Sequence, residues 1–142
     1  MNSKLAQRYH DDGMAVTPRP QLVVKLYERL RSDLRTAAEA ATDGEIEAAH
    51  VALLHAQEIV LELSLALDLD LWEGARGLRA IYEHLDARMV EANLQKSPGI
   101  IRECLALVDP LVDAWQQALT ISQQSRPAVS DGPSRLSGVI TA

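Results

Sequence analysis

The sequence predicts an all-α protein: an antiparallel, up-down-up-down four-helix bundle with a flexible N-terminal segment and a disordered C-terminal tail. Three observations predict it. Apolar residues recur at three- and four-residue steps through four segments of about 20 residues. The links between those segments are short, which favours antiparallel neighbours. Apolar residues make up 47% of the chain, yet aromatics are 4% and phenylalanine is absent. The core material is therefore Leu, Ala, Val and Ile, which suits helices better than an aromatic-rich sandwich. A chain of 142 residues fits a single domain.

The elements follow in order. Residues 1–17 are polar and mixed, with Gly13 breaking any long helix. Thr17-Pro18 is a start signal, a capping hydroxyl ahead of a proline whose missing N–H costs nothing in a first turn. From Leu22 the period is helical: Leu22, Val23, Leu26, Tyr27, Leu30, Leu34, Ala37, Ala38 and Ala41 share one face. Arg29 with Asp33 and Arg35 with Glu39 lie four apart and read as a solvated face. Asp43-Gly44 stops this helix. A second helix is expected over about 45–67 and a third over about 75–94. Ser97-Pro98 repeats the cap-then-proline signal and opens a fourth helix to about Leu119, with Pro110 expected to kink or split it. The Ser, Pro and Gly content from Ile121 onward reads as a disordered tail. The bundle domain is thus placed at 18–120 and the tail at 121–142.

Several function classes lose support at once. The formal charge is −6, whereas a dedicated nucleic-acid binder needs a basic face. No apolar run is long enough to insert in a membrane, and the N-terminus lacks the apolar core of a secretory signal. A cytoplasmic location is the expectation. The single cysteine, Cys104, excludes an internal disulfide or a Cys-based zinc site, and its apolar surroundings predict a buried thiol.

The informative feature is surplus leucine. On a wheel of 100° per residue the second helix shows one stripe of Ile46, Ala49, Leu53, Ala56, Val60, Leu63 and Leu67. Val51, Leu54, Leu61 and Leu65 form a second stripe nearly opposite, interrupted by Glu47 and Glu58. The third helix repeats this weakly, with Ala80, Ala87, Val90 and Leu94 behind a core stripe of Leu78, Ile81, Tyr82, Leu85, Met89 and Ala92. A closed four-helix monomer needs one stripe per helix. The second stripe serves a partner, a homodimer contact, or a cover formed by one of the chain's own ends.

Catalytic and metal chemistry find little footing. Glu47 and His50 have the three-residue spacing of carboxylate-bridged metal bundles, but the second such motif is missing. His55, Glu58 and Glu62 read as surface polarity without a nucleophile or pocket, and Gly74 and Gly77 lack a phosphate-loop motif. No metal site, no cofactor and no enzymatic activity are expected.

Several segments, in order, resemble one family. TPRPQLVVKLYERL is similar to the opening helix of the flagellin-specific export chaperones (FliS). AQEIVLELSLALDLD resembles their second helix and the turn after it. YEHLDARMVEANLQKS resembles the end of their third helix, and DAWQQAL the tryptophan-containing end of their fourth. The chain departs from the family at Arg19-Pro20-Gln21, where an acidic pair is usual.

The resemblance implies a cytoplasmic chaperone that binds the C-terminal region of flagellin, prevents its premature polymerisation and aids its delivery to a component of the flagellar export apparatus. It implies a bound segment that wraps the bundle and forms short helices in apolar grooves. The groove residues are then expected at Leu54, Ile59, Leu61, Glu62 and Leu65 on the second helix. On the third helix they are expected at Leu78, Tyr82, Leu85, Val90 and Asn93. Tyr82 and Leu85 suit the core equally, and Asn93 suits a helix cap equally. Tyr9 corresponds to the tyrosine that caps the empty groove in the family.

Overall fold

The computed structural model describes residues 20–67 and 74–125. It contains four helices: α1 (Pro20–Thr42), α2 (Ile46–Ala66), α3 (Gly74–Gln95) and α4 (Pro98–Ser125). The Thr17-Pro18 start signal, Tyr9 and the segment after Ser125 lie outside the described residues.

Each described turn has a local cause. At the end of α1, Gly44 takes a φ of 77°. This lets the Glu45 N–H reach the Ala40 carbonyl at 2.8 Å and the Gly44 N–H reach Ala41 at 3.2 Å. Those two bonds close a Schellman motif and satisfy carbonyls that the helix end would leave open. At the end of α3 the left-handed position is held by Lys96 (φ 50°). Its ammonium donates to the Asn93 carbonyl at 2.5 Å and to Asn93 Oδ1 at 2.7 Å. Ser97 then caps α4, accepting from the Ile100 N–H at 3.2 Å, with Pro98 in the first turn as the sequence predicts.

Pro110 does not split the fourth helix. The helix is continuous across it and runs to Ser125, past the expected end near Leu119 and into the expected tail at 121. Pro110 leaves the Ala106 carbonyl without its helical donor. Both residues are exposed, so the open carbonyl stands at the solvent side of the helix rather than in the core.

Side-chain pairs give the register. His50 meets Asn93 and Gln57 meets Asp86, so α2 and α3 run antiparallel, seven residues forward against seven back. Glu28 with Gln116 and Arg35 with Asp109 show the same for α1 and α4. Arg88 of α3 donates to Glu103 of α4 at 2.7 Å. The bundle is therefore a ring of α1, α2, α3 and α4 in chain order.

The ring is uneven. α1 packs closely along both α2 and α4, whereas α3 stands further from its two neighbours. Buried alanines at 37, 38, 49, 52 and 56 permit the close α1–α2 approach. On α3 the buried positions include the bulky Leu78, Tyr82, Leu85 and Met89, which hold the backbone away. Tyr27 and Tyr82 cross the bundle diagonally, their hydroxyls 2.5 Å apart, and Tyr27 stacks on Trp115 at 5.9 Å between centroids. Burial, above all, raises the pKa of both phenols from the ordinary value, so both stay neutral. Cys104 is fully buried, as its surroundings predict, and burial pushes its thiol up to about 11.

Candidate functional site

The wider spacing between α2 and α3 leaves a groove of about 720 Å³ on the surface. Leu54, Val60, Leu61 and Leu65 of α2, with Leu67 just past its end, line one side, and Arg79, Tyr82, Glu83 and Asp86 of α3 line the other. Leu54, Leu61 and Leu65 belong to the second stripe. Leu54, Leu61 and Leu65 are 44%, 42% and 43% exposed, and Val51 is 59% exposed. The buried positions of α2 are Ala49, Ala52, Leu53, Ala56, Ile59, Val60 and Leu63. They occupy an arc centred about 180° from the stripe. One helix therefore carries two apolar faces, and only one enters the core.

The expected groove residues divide by burial. Leu54, Leu61, Leu65 and Val90 are exposed, while Glu62 and Asn93 are half-buried. Ile59, Leu78 and Leu85 are core residues rather than groove residues, at 4%, 8% and 0% exposure. Their positions face the bundle axis, where α2 and α3 must fill the wide gap with bulk. Tyr82 is buried too, but its ring lies against the groove while its hydroxyl bonds Tyr27. Asn93 Oδ1 bonds Lys96 at 2.7 Å and His50 Nδ1 at 3.2 Å, tying this side chain to the end of α3 and to α2. Tyr9 lies outside the described residues.

Ile46 is exposed because it opens α2, and Leu22 because it lies at the edge of the inward arc of α1, about 100° from the buried Val23.

Sequence reasoning missed Asp33. Its carboxylate was assigned to a solvated face with Arg29, yet the residue is buried at 8% exposure. It bonds His55 Nδ1 at 2.6 Å and Arg29 Nε at 3.3 Å. The signal was present: Asp33 stands three residues after Leu30 and four before Ala37, at the edge of the inward arc of α1. This pair borders a second, shallower depression between α1 and α2, which includes Val51, Leu54, Glu47 and Glu58. Leu54 and Glu58 thus stand on the ridge between two depressions.

Elsewhere the polar groups are structural. Arg88 is held by Glu91 at 2.6 Å and Glu103 at 2.7 Å, and the bond to Glu103 is the main cause of its raised pKa. Glu47 and His50 do not converge, since His50 turns to Asn93. Among the described residues no group of three or more His, Cys, Asp and Glu is placed to hold a metal ion, and no helix is long and apolar enough to cross a membrane.

Fold and groove together define a helical-bundle protein with an apolar face on its outer surface. The sequence matches the family described as "Flagellar protein FliS" over residues 1–122, and the chain belongs to that family. One relative, the "Flagellar secretion chaperone FliS" of Bacillus subtilis (strain 168), is 27% identical over 118 residues, covering 83% of this chain and 88% of the relative.

Proposed function

We propose that this chain is a cytoplasmic, non-enzymatic flagellar secretion chaperone. Its α2–α3 groove receives the C-terminal region of flagellin, keeps that region from polymerising early and presents it to the flagellar export apparatus. The observation that carries the reading is the row Leu54, Leu61 and Leu65, each more than two-fifths exposed along one groove. Segments that assemble through apolar helical faces need such faces covered before assembly. A groove lined by leucine covers them by offering an equivalent surface. Membership of the FliS family and the relative's description support the same assignment.

Titration of a flagellin C-terminal peptide tests it. Binding is expected, and Leu61→Asp with Leu65→Asp should abolish it while the helical circular dichroism persists. No binding at high micromolar peptide refutes the reading. Sedimentation at several protein concentrations tests the alternative use of the stripe: a stable dimer that persists on dilution without flagellin would assign this face to a second copy of the chain.

A further inference from the structure

The charge around the stripe says more about the occupant. α2 contains Glu47, Glu58 and Glu62 and no lysine or arginine. Across the groove, α3 contributes Glu83 and Asp86 against one cation, Arg79. That cation is already engaged by Glu83 at 3.4 Å. On the α1 side the nearest cation, Arg29, is engaged by Asp33. Among the described residues no Lys, Arg or His lies within ion-pairing distance of Glu47, Glu58 or Asp86. Asp86 accepts only a long 3.5 Å bond from Gln57.

An empty groove tolerates these carboxylates, because water solvates them. A partner that covers the leucines removes part of that water and leaves the carboxylates facing it. They then require a countercharge from the partner, and a partner bringing its own carboxylates there is repelled. The stripe also sets a length. Val51 to Leu65 spans 14 helical steps, about 21 Å, or about four turns of a partner helix. Resting on the reading above, we propose that the flagellin segment seated along α2 is an amphipathic helix of about four turns with lysine or arginine beside its apolar stripe. Glu58 and Asp86 are the side chains that select it.

The test uses the full chain and three probes: a flagellin C-terminal peptide and two synthetic helical peptides. The synthetic pair shares one leucine stripe, flanked by lysine in one and by glutamate in the other. At about 50 mM NaCl the lysine peptide is expected to bind about tenfold more tightly than the glutamate peptide, and the gap should shrink severalfold at about 500 mM. Glu58→Gln with Asp86→Asn should bring the two synthetic peptides within about twofold of each other. The same pair of substitutions should weaken the flagellin peptide and flatten its salt dependence. Both side chains are exposed, so folding is unaffected.

Equal binding of the two synthetic peptides, or a gap unchanged in the double variant, overturns the inference. If the flagellin peptide still depends on Leu61 and Leu65 in that case, only the charge selection falls. If the flagellin peptide does not bind at all, the proposed function falls with it.

Discussion

Replacing Leu61 and Leu65 by alanine should cost affinity for flagellin, whereas replacing Leu85 should cost stability. Full burial of a leucine side chain is worth about 1.5–3 kcal/mol. Leu61 and Leu65 remain 42% and 43% exposed in the free protein. A partner covering them therefore gains about 0.6–1.3 kcal/mol from each. Losing both should weaken binding by about 1–2.5 kcal/mol, or roughly 5- to 70-fold in Kd. Leu85 has no exposed surface left to give a partner. Its replacement by alanine should cost about 2–5 kcal/mol of folding stability and leave the affinity of the folded protein unchanged. Isothermal titration with a flagellin C-terminal peptide reads the first effect, and urea unfolding reads the second. Leu85→Ala weakening the folded protein's affinity as much as the surface pair would refute the division into core and groove. So would a surface pair that binds at wild-type strength.

Three further outcomes follow from single sites. Asp33→Ala removes the acceptor for His55 and Arg29 from a buried position and should cost about 1–3 kcal/mol in urea unfolding; an unchanged midpoint would show that the pair contributes nothing. Ser97→Ala removes the hydroxyl that accepts from the Ile100 N–H and should lower stability by about 1 kcal/mol, read by thermal melting. The Cys104 thiol keeps its proton to about pH 11 in the folded chain, against 9 as the ordinary value. Its contribution to stability is therefore complete below pH 9 and is lost as pH rises from 9 toward 11. Urea midpoints between pH 8 and 10 should fall less steeply in Cys104→Ala.

The helices were legible because each rests on local causes. Gly44 supplies a positive φ, Ser97 a hydroxyl acceptor and Pro98 a preset φ, and all three act within a few residues of their position in the chain. The end of the fourth helix was placed too early for a related reason. Pro110 threatens a single bond, and the 15 residues that follow it still make enough helix to continue. Neither composition nor a single proline measures that balance.

The candidate groove was half legible. Periodicity separated the second leucine stripe from the core stripe, and Leu54, Leu61 and Leu65 are exposed as that separation requires. It also put Leu78, Tyr82, Leu85, Met89 and Ala92 on the core stripe of α3, and all five are buried. The groove expectation for Leu78, Leu85 and, on α2, Ile59 came from the family resemblance, and a large apolar side chain suits a core gap and a partner equally. Asp33 shows the converse: a charged residue on the inward arc is buried with His55 and Arg29 as its partners, and His55 comes from another helix.

By itself the sequence determined the helices, their order and the surplus of leucine on α2, since these depend on neighbours three or four residues away. The tertiary structure alone decided where the groove opens and, among the described residues, which carboxylates lack a cation. Those properties depend on the distance between helices. That distance is set by whether alanine or tyrosine and leucine fill the space between them.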